Sequence, residues 1–220
     1  MHALTSIFVS AHLVFRQIDM MRPSSAGNVL LPSIRSAVLA DIQHKCFDIV
    51  AICPPSATFS RAPFSGWPGP KPLRSAHWPK GLPGLKQPEM QRGKDANDLM
   101  DVAVEVMRAA SSANAVVTMT FPEDLGPSKL GSPASIWRRD DVRQLEAAGL
   151  HRYAFYQGDW CSMDHLLPTG VMTNASKLSE DPGIFKGRPI FADAVSDIGP
   201  LPPREQRLSL VGRGPNGQLK

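Results

Sequence analysis

Cysteine is scarce in this chain. Cys46, Cys53 and Cys161 are the three among 220 residues, and an odd number without a Cys-x-x-Cys spacing argues against both a disulfide framework and a zinc site. Reduced thiols and an intracellular setting, nucleus or cytoplasm, are the expectation, and the pI near 9.1 leans it toward the nucleus. Long apolar runs are missing as well. No stretch approaches the roughly 20 residues that a membrane helix needs, so no membrane partner is expected. Met1 to Phe15 is mildly apolar, but it contains His2 and His12 and has no basic start, which argues against a signal peptide. No glycine precedes Gly27, and that lone glycine stands in Ser24-Ser25-Ala26-Gly27-Asn28. Charge is not concentrated either: the net +4 is spread along the chain, which makes a weak footprint for polyanion binding.

What is present suffices for one domain. Hydrophobic residues make up 42% of the chain, enough for a core in a chain of this length. Proline is abundant, at 21, and with the 17 glycines it gathers in residues 54–88 and 181–216, which are therefore expected to be loop or tail. Between these stretches the apolar spacing is orderly. Residues 12–19 suggest a short strand ending in Asp19. Leu30 to Gln43 carries Leu31, Ile34, Val38, Leu39 and Ile42 as one helical stripe. Phe47 to Ile52 is apolar and stops at Pro54-Pro55, as a buried parallel strand does. Asp95 to Ala110 is the clearest helix, with Leu99, Val102, Ala103, Val106 and Met107 on one face.

Ala115 to Thr120 follows as a second strand closed by Phe121-Pro122. Arg139 to Ala148 is a helix with Val142, Leu145 and Ala148 inward and Gly149 as its stop, and His151 to Gln157 is a third strand. Alternation of strand and helix in this order predicts an α/β fold with a doubly wound, mostly parallel sheet. The expected organisation is a poorly defined segment over 1–29, an α/β domain over 30–180 with a loop insertion at about 56–94, and an irregular tail over 181–220. In such a sheet, the segments after Ile52, Thr120 and Gln157 converge on one cleft at the carboxyl ends of the strands.

Those segments also carry a resemblance. Cys53-Pro54-Pro55-Ser56-Ala57-Thr58-Phe59-Ser60-Arg61-Ala62 resembles the Pro-Pro-Cys-x-Thr-Phe-Ser-Arg-Ala segment of a class I methyltransferase-like family. That family is related to DNA cytosine-5 methyltransferases and is met in mobile-element-like eukaryotic proteins. The likeness continues through Gly69-Pro70-Lys71-Pro72-Leu73-Arg74-Ser75, Pro79-Lys80-Gly81-Leu82-Pro83, Phe121-Pro122-Glu123-Asp124-Leu125-Gly126, Ser135-Ile136-Trp137, Gln157 and Pro168-Thr169, over about residues 47–174. It implies a Rossmann-like sheet, incomplete at its start, with S-adenosylmethionine as cofactor and a nucleic-acid base as ancestral substrate.

Carried over residue by residue, the resemblance places Ser56 where the attacking thiolate belongs, with Pro55 shaping the turn. A hydroxyl is a far poorer nucleophile than a thiolate near neutral pH. Cys53 stands three residues early, where a small buried apolar role competes with any chemical one. The ring-protonating acid is replaced by Thr120-Phe121-Pro122, which leaves Glu123 as the nearby acid, though Glu123 and Asp124 also suit the capping of a turn. Asp19, Cys53 and Pro54 are the candidate cofactor contacts, with a solvated turn as the other role for Asp19. The nucleic-acid contacts implied are Arg61 and Arg74 near phosphates and Phe59 and Trp78 as stacking surfaces, Phe59 doubling as a core candidate. Amino-group methyltransferases, with a polar-Pro-Pro-aromatic segment at this place, share only the two prolines.

The joint absence of thiol, acid and glycine-rich turn points to a degenerate enzyme. The second function class is a noncatalytic nucleic-acid or protein binding module, and the third is a fragment without function.

Overall fold

The computed structural model describes residues 16–18, 27–66, 69–157, 168–175 and 191–192. Asp19, Trp67 and Cys161, together with most of residues 1–29 and 181–220, lie outside them. Helix α1, Pro32–Gln43, starts with a proline whose fixed φ suits the first turn. Val38 and Ile42 are buried, whereas Leu31, the residue before the helix, remains 39% exposed and does not join the expected stripe. The strand that follows, β1, covers Ile49–Ile52 and is shorter than the apolar run that announced it.

Helix α2, Gln87–Ser112, begins two turns earlier than its apolar spacing suggests. Pro88 and Gly93 looked like loop punctuation, yet proline is tolerated in a first turn, and the Glu89 carboxylate accepts the Lys86 N–H at 2.9 Å to satisfy one of the free donors there. Strand β2 is Val116–Pro122 and helix α3 is Asp140–Ala147. Gly149, at φ +97°, ends α3 as expected, with Leu150 N–H donating to the Leu145 carbonyl at 3.1 Å. Ala148 is exposed rather than inward.

Strands β3, His151–Tyr156, β4, Pro168–Thr173, and β5, Phe191–Ala192, complete the sheet in the order β1-β2-β4-β3-β5. The fold is α/β with an open, mixed sheet. Its one parallel pair is β1 with β2, while β4 runs antiparallel to both β2 and β3, and β5 antiparallel to β3. The expectation of a mostly parallel sheet is thus corrected. The three foreseen strands do share a direction, but β4, whose Pro-Thr-Gly start hides its strand character, inserts between the second and third. Phe191–Ala192, assigned to the irregular tail, pairs with Ala154 and Tyr153.

One core holds this together. Met100, Val104 and Met107 of α2, Val142 and Leu145 of α3, and Val38 and Ile42 of α1 meet Val117, Met119 and Phe121 of β2 and Met172 of β4. Burying one such side chain contributes about 1.5–3 kcal/mol, against roughly 0–1 for a surface ion pair, so this seam dominates. All three described helices feed it, which leaves the helices-on-both-faces part of the doubly wound expectation without support among the described residues. On the other face, Ile49 and its register partner Val116 are 61% and 45% exposed.

Candidate functional site at the carboxyl edge

Because β1, β2 and β3 share a direction, their carboxyl ends lie on one edge. Bonds at this edge tie the end of β1 to β2, and tie β2 and Gln157 each to the start of β4. The Cys53 Sγ lies 3.0 Å from Thr120 Oγ1, the Glu123 N–H donates to the Pro168 carbonyl at 3.0 Å, and Gln157 Nε2 donates to Thr169 Oγ1 at 2.9 Å. The segments after Ile52 and Thr120 meet at this edge, whereas the segment after Gln157 lies outside the described residues.

A recess of about 250 Å³ opens at this edge, and it gathers Ser56, Phe59, Arg61 and Glu123 with Asp124 and Ser135. Ser56 begins a short 3₁₀ turn, Ala57–Phe59, and its carbonyl accepts the Phe59 N–H at 2.9 Å. Pro54 is half-buried and Pro55 exposed, and Cys53 is an exposed thiol rather than a small core residue.

Phe59 belongs to the core: it is 7% exposed, its ring meets Phe121 edge to face at 5.4 Å, and the Arg74 guanidinium lies 3.9 Å from its centre. Arg61 donates to the carbonyls of Gly126 and Pro127 at 2.6 and 2.7 Å, clamping one wall of the recess to the other. Burial draws its pKa down, with the Asp124 charge opposing.

Of the two adjacent carboxylates, Asp124 takes the capping role and Glu123 does not. Asp124 caps the turn, its Oδ1 accepting the Gly126 N–H at 2.8 Å while Oδ2 pairs with Arg138. The Glu123 side chain is fully buried and paired with Arg152. Burial raises its pKa and the Arg152 charge opposes this. Its second oxygen, Oε2, has no hydrogen-bond partner among the described residues and packs toward Gly170.

Arg152 in turn sits 4.6 Å from the Trp137 ring centre, and Trp137 Nε1 donates to the Pro122 carbonyl at 2.9 Å. The Glu123, Arg152, Trp137 and Gly170 cluster locks β2, β3 and β4 together. Arg152 was overlooked, although an arginine at an inward position of an alternating strand is the kind of buried charge that requires a partner.

Arg74 is away from the recess. It is 1% exposed, donating to the Pro79 carbonyl at 2.9 Å, Asn97 Oδ1 at 2.7 Å and the Gly93 carbonyl at 3.2 Å, so its guanidinium faces protein groups instead of phosphate. Burial, and next the charge of Arg139, pull its pKa down to about 10, which still leaves it charged at neutral pH. Trp78 is 47% exposed.

A larger groove of about 550 Å³ runs between Lys80–Leu85 and α2, with Arg139 bound to Asp101 and Asp141 at its far end. Among the described residues no three His, Cys, Asp or Glu side chains gather as a metal would require, and no helix is long and apolar enough to cross a membrane.

The fold and site together define an α/β protein with a recess of mixed polar and apolar lining at the carboxyl edge of a mixed sheet. Comparison of the chain with protein-family models, with curated proteins and with solved structures found no match to any of them.

Proposed function

We propose that this chain is a catalytically degenerate methyltransferase-like domain that retains a nucleic-acid-holding role. β1, β2 and β3 keep the common direction that the resemblance implies, although β4 runs antiparallel between the last two rather than at an edge, where doubly wound sheets commonly carry such a strand. The observation that carries the reading is the recess: Ser56 and Glu123 both line it, yet neither is equipped for chemistry. The two carboxylates that share the recess with the Ser56 hydroxyl are engaged elsewhere, Asp124 with Gly126 and Arg138 and Glu123 with Arg152, and a serine without a base is a weak nucleophile. The Glu123 carboxylate is held by Arg152, and withdrawing it to deliver a proton would strand a buried guanidinium.

The described residues do not fit S-adenosylmethionine well. The carboxyl end of β1 offers a thiol and two prolines, with neither a carboxylate for ribose hydroxyls nor a glycine turn for close backbone approach. A noncatalytic nucleic-acid-binding module is favoured over a working enzyme by the same Glu123–Arg152 lock. Titration calorimetry of the folded chain with S-adenosylmethionine, beside a thermal melt, is the test. The expected result is no heat and no shift from a chain that melts cooperatively. Micromolar binding with a raised melting temperature would refute the degenerate reading, and a Ser56→Cys variant would then be assayed for methyl transfer.

A further inference from the structure

From Ile49 to Pro88 the chain has no aspartate or glutamate, and its charged residues are Arg61, Lys71, Arg74, Lys80 and Lys86. Arg61 and Arg74 are engaged with protein carbonyls and Asn97. Lys71 and Lys80 are exposed and form no ion pair among the described residues. The carboxylates lining the groove beside Lys80 are engaged elsewhere, Asp98 with Lys94 and both Asp101 and Asp141 with Arg139. Among the described residues, this stretch therefore presents positive charge that no carboxylate compensates.

Trp78 stands in the middle of it on a turn that is held in place. Trp78 N–H donates to the Ser75 carbonyl at 3.1 Å and lies 3.2 Å from Ser75 Oγ, while Ser75 N–H donates back to the Trp78 carbonyl at 3.2 Å. Leu82 N–H closes the loop on the Leu73 carbonyl at 2.9 Å, and Ala76 N–H ties it to the Ser132 carbonyl at 2.9 Å. The buried Arg74 grips the Pro79 carbonyl from beneath. The His77 ring stands at right angles to the indole, 5.0 Å away. An indole this exposed on a fixed turn loses little further freedom when a planar group stacks on it, and preorganisation of that kind favours binding. Lys71 and Lys80 each lie two residues from the Leu73–Leu82 contact.

We infer that the Leu73–Leu82 loop is a stacking platform for single-stranded nucleic acid, with Trp78 taking an unpaired base and Lys71 and Lys80 meeting adjacent phosphates. It rests on the nucleic-acid reading above and moves the contact from Arg61, Arg74 and Phe59, which are built into the fold, to the exposed side of the loop. A single strand is specified because an indole needs an unpaired base face.

The test is fluorescence anisotropy of labelled oligo(dT) and oligo(U) with the full chain. Trp78→Ala should weaken binding about tenfold or more while Trp78→Phe keeps most of it, since base stacking on an aromatic ring contributes of that order. Lys71→Gln and Lys80→Gln should each flatten the double-logarithmic salt dependence by about 0.7. The melting temperature of Trp78→Ala should match the wild type, as expected for a half-exposed side chain. If the wild type binds oligonucleotides and Trp78→Ala binds equally well, the platform is overturned while the nucleic-acid reading stands. If neither oligonucleotide binds, both fall. Capture of an acidic polypeptide in preference to either strand would also overturn the platform, in favour of a protein partner.

Discussion

Gly170→Ala is the substitution whose outcome the packing constrains most tightly. A Cβ at this position would lie 2.5 Å from Trp137 Cζ2, 2.7 Å from Trp137 Cε2 and 2.6 Å from Glu123 Oε2. None of these can retreat cheaply, because Trp137 is 2% exposed and bonded to the Pro122 carbonyl and Glu123 is held by Arg152. Overpacking of a filled core costs about 1–3 kcal/mol, and loosening the Trp137 hydrogen bond adds about 1. Against this stands a gain of roughly 0.5–1 kcal/mol from replacing glycine in a strand interior. The net expectation is a loss of about 2–3 kcal/mol, or roughly 5–10 °C in melting temperature for a chain of this size. Urea unfolding followed by circular dichroism gives the midpoint and its slope, and a lower midpoint at unchanged slope is the expected signature. A second variant, Trp137→Leu with Gly170→Ala, should recover part of the Gly170→Ala loss relative to Trp137→Leu alone. A Gly170→Ala midpoint equal to or above the wild type would refute the packing argument.

Arg74→Ala should destabilise by about 2–4 kcal/mol, because it strands the Gly93 carbonyl and Asn97 and uncovers the Phe59 ring. Arg74→Lys should restore less than half of this, since one ammonium cannot reproduce the planar fork, and thermal melting decides the point. The Arg139 hydrogen bond holds the Asp141 carboxyl below the usual range. Its pKa is lower folded than unfolded, so its contribution is present above the ordinary carboxylate range and is lost as pH falls through the folded value. Between about pH 4 and pH 2 the melting temperature of the wild type should therefore fall faster than that of Asp141→Asn. Glu123 has the opposite sign, its raised pKa weakening stability as pH rises through it, but it is common to both proteins and cancels in the comparison.

The helices and three of the strands were legible because their apolar spacing is dictated by the same core they fill: Val142 and Leu145 announce α3, and Gly149 announces its end. Pro88 and Gly93 concealed the start of α2, since the Glu89 contact and the first-turn tolerance of proline are stronger than the local breaker signals. β4 carries no strand signal at its start, because proline and glycine at Pro168 and Gly170 are residue types that weaken a strand. What qualifies Gly170 for a central strand is the Trp137 ring on top of it, a contact between residues far apart in the chain.

At the site, the placing of Ser56 and Glu123 at one edge of the sheet follows from the parallel pairing of β1 with β2. The occupation of Arg61 and Arg74 by carbonyls did not, because a cation in a proline-rich loop looks the same in sequence whether it meets a phosphate or a backbone oxygen.

The place of β4 also sets an order of events during synthesis. β2 and β3 are spatial neighbours only through a strand that is made after both, so a ribosome that has released Tyr156 has delivered two edges with nothing between them. Until Thr173 emerges, β3 has no partner on the β2 side, and the apolar Tyr153 and Ala154 stay in reach of other chains. The vulnerable interval in this protein's biogenesis is thus the time needed to translate and extrude the segment from Gln157 to Thr173, when pairing with a foreign strand competes with pairing within the chain.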